Sequence, residues 1–154
     1  MNIRGVTKLN QISQVLEQRR IAILALQETH MSDSRCEEMA DFFKKRMTVF
    51  STADPEKPSA CAGVAIVLNN SHMLTEGAIS TTIVPGRALL VQTNWHAGDQ
   101  ITILAIYAPN LKGADGSESK AFFQKIQKFF EENPLVAKPE IVLGDFNVVE
   151  DPLD

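Results

Sequence analysis

The spacing of apolar and polar positions changes period twice along this chain, from helical to strand-like and back. Over residues 7–20 the apolar residues Leu9, Ile12, Val15 and Leu16 fall on one helical face, with Thr7 able to cap the start and the Arg19-Arg20 pair suited to a helix carboxyl end. The unbroken run Ile21-Ala22-Ile23-Leu24-Ala25-Leu26 predicts a strand buried on both faces. Ser34-Arg35-Cys36-Glu37 matches a capping box, which predicts a second helix to about Lys45 with Met39, Phe42 and Phe43 facing inward. Residues 1–6 read only as a strand-like scrap.

Between residues 47 and 107 the helical period disappears. Strands are predicted over 47–53, 62–68, 73–84, 87–95 and 100–107, separated by the turn signals Asn69-Asn70, Pro85-Gly86 and Ala97-Gly98-Asp99 and by a proline-bearing loop over 54–59. Short connections between successive strands imply antiparallel pairing. The helical period returns at Ser117, where that serine or a neighbour is expected to cap the helix, with Phe122, Phe123, Ile126, Phe129 and Phe130 on one face and a stop at Asn133-Pro134. An aromatic stripe at that spacing is core. Ile141-Val142-Leu143 then opens a last strand that ends at Asp145.

Composition adds bounds rather than chemistry. The 154 residues fit a single globular domain, and a net charge of −4 gives none of the basic footprint that carries sequence-independent binding to phosphate backbones. Cys36 and Cys61 have no CxxC spacing, and no leader-like or membrane-length apolar run appears, so a reduced, soluble, intracellular protein of nucleus or cytoplasm with two buried thiols is expected, without a membrane partner. His30, His72 and His96 are scattered without ligand spacing, which does not point to zinc.

Three polar clusters share one grammar: each follows an apolar strand, where a rigid scaffold presents loops. They are Gln27-Glu28, Tyr107-Ala108-Pro109-Asn110 and Asp145-Phe146-Asn147, to which Asn2 can be added. Singly each has a plain reading. Glu28 alone is a solvated carboxylate, Tyr107 a strand-end aromatic with its hydroxyl in water, and Asp-x-Asn a turn in which both side chains bond their own backbone.

The order and wording of the clusters carry more. Asn2-Ile3-Arg4-Gly5, Leu26-Gln27-Glu28-Thr29-His30, Ala62-Gly63-Val64-Ala65-Ile66, Ile106-Tyr107-Ala108-Pro109-Asn110 and Gly144-Asp145-Phe146-Asn147 together resemble the endonuclease/exonuclease/phosphatase (DNase I-like) superfamily. Within it, the wording is most similar to the apurinic-endonuclease-like domain of non-LTR retrotransposon polyproteins. The resemblance covers essentially all of these residues but only the first three-fifths of the family's domain, so a single, C-terminally truncated domain over 1–154 is expected.

That resemblance implies roles. Glu28 would bind one Mg²⁺ or Mn²⁺, helped by Asn2, and Tyr107 would lie beside the scissile phosphate. Asp145 would orient or deprotonate the attacking water, Asn147 would stabilise phosphate oxygens, and Asn110 would contact the substrate, which is DNA. The family's Asp-His pair, whose histidine faces the phosphate, has no match among the 154 residues.

The fold it implies is α/β (α+β), a partial four-layer sandwich: mainly one mixed, largely antiparallel sheet with outer helices, plus one strand, 141–145, of a second sheet. On that reading the inner face around Val64, Ile66, Leu68, Ile101 and Ile103 stands bare. A homodimer would cover it, through that face or a swapped last strand. Two functions remain open: a Mg²⁺-dependent phosphodiesterase nicking DNA in the retrotransposon manner, weak or inactive in this form, or a catalytically dead remnant acting as a homodimeric binding module.

Overall fold

A computed structural model describes residues 6–30, 32–59, 61–110 and 116–147; Asn2 lies outside them, as do the side chains of Leu9 and Met39. The elements run α1 (Val6–Gln18), β1 (Ile23–Gln27), α2 (Asp33–Phe43), β2 (Met47–Thr52), β3 (Val64–Asn69), β4 (Met73–Val84), β5 (Ala88–Trp95), β6 (Gln100–Tyr107), α3 (Ser117–Glu132) and β7 (Ile141–Asp145). None of the described helices is long and apolar enough to cross a membrane.

The α+β class and the outer helices are as expected, but the strands divide over two stacked sheets. One sheet is antiparallel, in the order β1-β3-β2; the other is mixed, in the order β4-β5-β6-β7, with β7 parallel to β6. Alternation along β3 explains the stacking. Ala65 and Val67 face outward under α1 and α2 with Ile12, Leu16, Phe43 and Met47. Val64, Ile66 and Leu68 face inward, onto Leu89, Val91, Ile101 and Ile103 of the other sheet. Phe122 of α3 packs on the far side of that sheet against Leu90, Leu104 and Ile106. Helices, sheet, sheet and helix make four layers.

The inner face expected to be bare is therefore the middle of the core. β4, β5 and β6 join β7 instead of extending the first sheet, and their inward residues cover Val64, Ile66 and Leu68. The physical ground for a homodimer through that face disappears. Smaller expectations also shift. Among the described residues β1 is a half-buried edge strand, not one buried on both faces, and β3 takes the central position. Val15 is 45% exposed and Phe42 is 72% exposed, because Ile12, Leu16 and Phe43 already fill the space under the helices. Ser32, not Ser34, stands at the cap of α2, and Gly116, the neighbour of Ser117, at the cap of α3. Cys36 is buried, but Cys61 is exposed.

One buried amide ties these layers together. The Asn69 side chain, at the end of β3, donates from Nδ2 to the Ile21 carbonyl at 3.1 Å and the Leu16 carbonyl at 3.4 Å, and accepts from Ser71 N at 3.0 Å. It pins the turn between α1 and β1. Asn69→Leu keeps the volume but leaves buried carbonyls unpaired, at a cost of about 1–3 kcal/mol. Thermal unfolding should show a midpoint lowered by several degrees; an unchanged midpoint would mean the turn holds without the amide.

Candidate active site

Five segments meet at one end of the sandwich: residues 28–30 after β1, 61–63 before β3, the Gly86-Arg87 corner before β5, residues 107–110 after β6, and 145–147 at the end of β7. Hydrogen bonds join them into a ring. Thr29 N donates to Gly63 O at 3.2 Å, His30 N to Ala62 O at 3.4 Å, and Gly63 N to Gly86 O at 3.0 Å. Gly86 N donates to Thr52 Oγ1 at 3.1 Å. Arg87 O accepts from Tyr107 N at 2.7 Å, and Arg87 Nη1 donates back to Tyr107 O at 3.2 Å. The Tyr107 hydroxyl closes the ring by donating to Glu28 Oε1 at 2.7 Å.

The backbone is bent to make this possible. Glu28, His30 and Ala62 take positive φ of 51°, 50° and 47°, a conformation that costs non-glycine residues free energy and concentrates at functional sites. Gly63, at φ +97°, leaves the space into which Thr29 Oγ1 fits; a Cβ there would collide with that oxygen. Thr29 Oγ1 and His30 Nδ1 are buried and have no hydrogen-bond partner among the described residues. The turn carrying Glu28 is thus held by its surroundings rather than by its own preferences.

β7 brings the second acid. Its parallel register against β6 sets Asp145 beside Tyr107, and Ala108 N donates to Asp145 O at 2.9 Å. Asn147, at φ 47°, folds back: its N–H donates to Asp145 Oδ1 at 2.9 Å and its Nδ2 to Ala108 O at 2.6 Å. The Asp-x-Asn turn and the placement of both groups beside Tyr107 are one structure. Gln27, Glu28, Tyr107, Asp145 and Asn147 therefore cluster as their motifs suggested, with Glu28 and Asp145 exposed to solvent. Asn110 is exposed on the same loop, past Pro109. His72 and His96 sit in the turns before β4 and after β5, at the opposite end of the sheets from this cluster.

Arg87 was read only as the first residue after a turn, yet its guanidinium carbon stands 5.2 Å from the centre of the Tyr107 ring. The signal that could have found it was a cation between the Pro85-Gly86 turn and the apolar run Ala88-Leu89-Leu90-Val91. It also matters electrostatically. The Glu28 carboxylate, by its hydrogen bond, raises the Tyr107 hydroxyl above the ordinary phenol pKa, helped by burial, the Glu28 charge and Asp145; the Arg87 charge opposes them.

Tyr107 is the only tyrosine of the chain, so phenolate absorbance reports it alone. Its titration should have a midpoint above the usual value of about 10, and Glu28→Ala should bring the midpoint down. A group raised in the folded state stabilises fully below its unfolded pKa, and that contribution is lost as pH rises through the folded value. The loss therefore falls in the alkaline range above about 10. A wild-type midpoint at or below the free phenol value would contradict the bond to Glu28.

The sequence matches none of the family models and none of the curated proteins, but the fold has solved counterparts. The chain superposes on the catalytic domain of Xenopus laevis APE2 with a TM-score of 0.61 at 17% identity, covering 99% of this chain and 59% of that one. On Caenorhabditis elegans TDP2 the TM-score is 0.56 at 13% identity, over 93% of this chain and 43% of that one. An endonuclease/exonuclease/phosphatase family protein from Bacteroides thetaiotaomicron gives 0.57 at 14% identity, over 96% and 59%. The chain thus has part of the endonuclease/exonuclease/phosphatase (DNase I-like) fold, and it spans about half the length of these structures.

Proposed function

We propose that these residues form part of the active site of a Mg²⁺- or Mn²⁺-dependent phosphodiesterase that nicks DNA in the manner of a non-LTR retrotransposon endonuclease. The supporting observation is the Tyr107 hydroxyl bonded to Glu28, with Asp145 held beside it on the next strand. The Gln27-Glu28-Thr29-His30 and Tyr107-Ala108-Pro109-Asn110 wording favours the retroelement type over other phosphodiesterases and phosphatases of this fold.

The donor set fits a hard divalent cation. Glu28 offers an exposed carboxylate with one oxygen bonded to Tyr107 and the other without a hydrogen bond among the described residues, and Mg²⁺ keeps several waters while taking one or two carboxylates. No group of three His, Cys, Asp or Glu suited to a metal occurs among the described residues; on this reading Asn2, outside them, would be the second ligand. Bound there, the cation would neutralise charge developing on a phosphate and let a chain of net charge −4 approach a polyanion.

The protein's own groups supply the rest. Asp145 spends Oδ1 on the Asn147 amide, which orients the carboxylate and leaves Oδ2 to accept a proton from an attacking water. Asn147 spends one Nδ2 hydrogen on Ala108 O and keeps the second for a phosphate oxygen. The Tyr107 hydroxyl can turn its proton from Glu28 to the phosphate. Asn110, exposed beyond Pro109, would touch the flanking strand. The 154 residues contain no Asp-His pair, and a positioned acid–base group contributes roughly 10²–10⁴-fold, so nicking by these residues alone is expected to be slow.

Nicking of supercoiled plasmid with Mg²⁺ and with chelator, beside Glu28→Ala and Asp145→Ala, tests the reading. Metal-dependent nicking lost in both variants supports it. Equal nicking in wild type and variants would identify a contaminant and defeat it, and a folded wild type without nicking would favour the non-catalytic remnant. A homodimeric form of that remnant no longer has a bare sheet face to rest on.

A further inference from the structure

Tyr107 stands at the end of β6, partly buried against the inner core, and its hydroxyl meets Glu28 only while the ring keeps one orientation. Arg87 is the neighbour that holds the ring from its other side. Its backbone is fixed twice, by Arg87 N donating to Val84 O at 2.9 Å and by Tyr107 N donating to Arg87 O at 2.7 Å. Its side chain then reaches back over the residue it pairs with, placing one guanidinium nitrogen on the Tyr107 carbonyl and the guanidinium carbon 5.2 Å from the ring centre. Gly86, immediately before it, is tied to Thr52 and to Gly63, so the corner is anchored in both sheets.

We propose that Arg87 is a positioning residue for Tyr107, clamping the ring through its face and its carbonyl so that the hydroxyl points at Glu28 and, in turn, at a bound phosphate. The inference rests on the reading of Tyr107 as a phosphate-facing group. A planar guanidinium can occupy both positions at once; a lysine ammonium, a point charge, can hold only one. Arg87 already spends a donor on the Tyr107 carbonyl, which distinguishes this role from that of a cation reserved for the substrate. Glu28 and Asp145 are the acids facing Tyr107, and Arg87 is the opposing cation.

The test is a double-mutant cycle in metal-dependent nicking between Arg87→Met and Tyr107→Phe, with Arg87→Lys as a third variant. It is read beside the ring signals of ¹³C-labelled Tyr107, the only tyrosine present, and the emission of Trp95, the only tryptophan, as a check of folding. Arg87→Met should lower kcat about 10–100-fold, the scale of an ångström-level misplacement, with KM changed less than about threefold; Arg87→Lys should recover only part. In the Tyr107→Phe background, Arg87→Met should cost less than about threefold, because there is no hydroxyl left to aim. The Tyr107 signals should move toward the values of an unrestrained ring while Trp95 emission stays native. Additive losses, or a loss confined to KM, would assign Arg87 to the substrate and overturn the proposal. Unmoved Tyr107 signals overturn it whether or not the protein nicks. Moved signals in a protein with no activity would sink the phosphodiesterase reading and leave the clamp standing, and if Arg87→Met fails to fold, the same signals are read in Arg87→Lys.

Discussion

Asp145→Ala is expected to reduce metal-dependent nicking at least about 10²-fold, the low end of what a positioned proton acceptor contributes. Two effects combine in it. The variant removes the open Oδ2, and it also removes the acceptor that holds the Asn147 amide at 2.9 Å, so Asn147 loses the turn that places its own side chain. Asp145→Asn separates the two: it keeps an oxygen for the Asn147 N–H but cannot take a proton. Initial rates on supercoiled plasmid should therefore be nearly as low for Asp145→Asn as for Asp145→Ala. Should Asp145→Asn retain most of the wild-type rate, Asp145 is a turn residue and the water-orienting role is wrong.

Gly144→Ala should have the largest effect on the fold. Gly144 has φ +137°, and a Cβ built there would overlap the carbonyl oxygen of Ile106, its partner in the β6–β7 ladder. The neighbour is backbone in a central strand, so it cannot move aside as a side chain would. β7 must then leave the sheet or β6 must bend, a cost on the scale of the larger single-residue losses, above about 3 kcal/mol. Chemical denaturation should show either a much lower midpoint or, if only β7 detaches, a native-like Trp95 on β5 with Asp145 and Asn147 lost from the site. A variant as stable and active as wild type would mean that β7 does not pack at this separation.

Much of this was legible in the pattern of residues. α3 and β7 were readable because a helical stripe of phenylalanines and a short apolar run bounded by polar residues each admit one interpretation. The candidate site was readable as wording, since Glu28, Tyr107, Asp145 and Asn147 follow strands that end together. What alternation cannot encode is which sheet a strand joins: Ile101 and Ile103 show an inward face under either arrangement, and only the pairing of β6 with β7 and β5 decides it. Likewise unbroken apolar runs, over residues 21–26 and 64–68, mark both β1 and β3, but among the described residues one is an edge and the other central. Phe42 and Phe43 are adjacent on a helix, so both could not face the core, and Phe43 does. Arg87 escaped notice because its partner is 20 residues away in sequence, across a strand pair.

The alignment of the two sheets has one more consequence. β1 lies over β6 and β7, and β2 over β4 and β5, so among the described residues the border strands β1 and β7 stand one above the other. On the opposite border, Thr48 bonds Asn70 and Thr75 at 3.0 and 3.1 Å and fastens the sheets. Among the described residues, the strands that deliver Glu28 and Asp145 are thus each laddered on one side, whereas Tyr107 and Arg87 are anchored through strands paired on both sides. The two acids therefore flank a Tyr107–Arg87 pivot held within the mixed sheet, and a strand added at that border would tighten both at once.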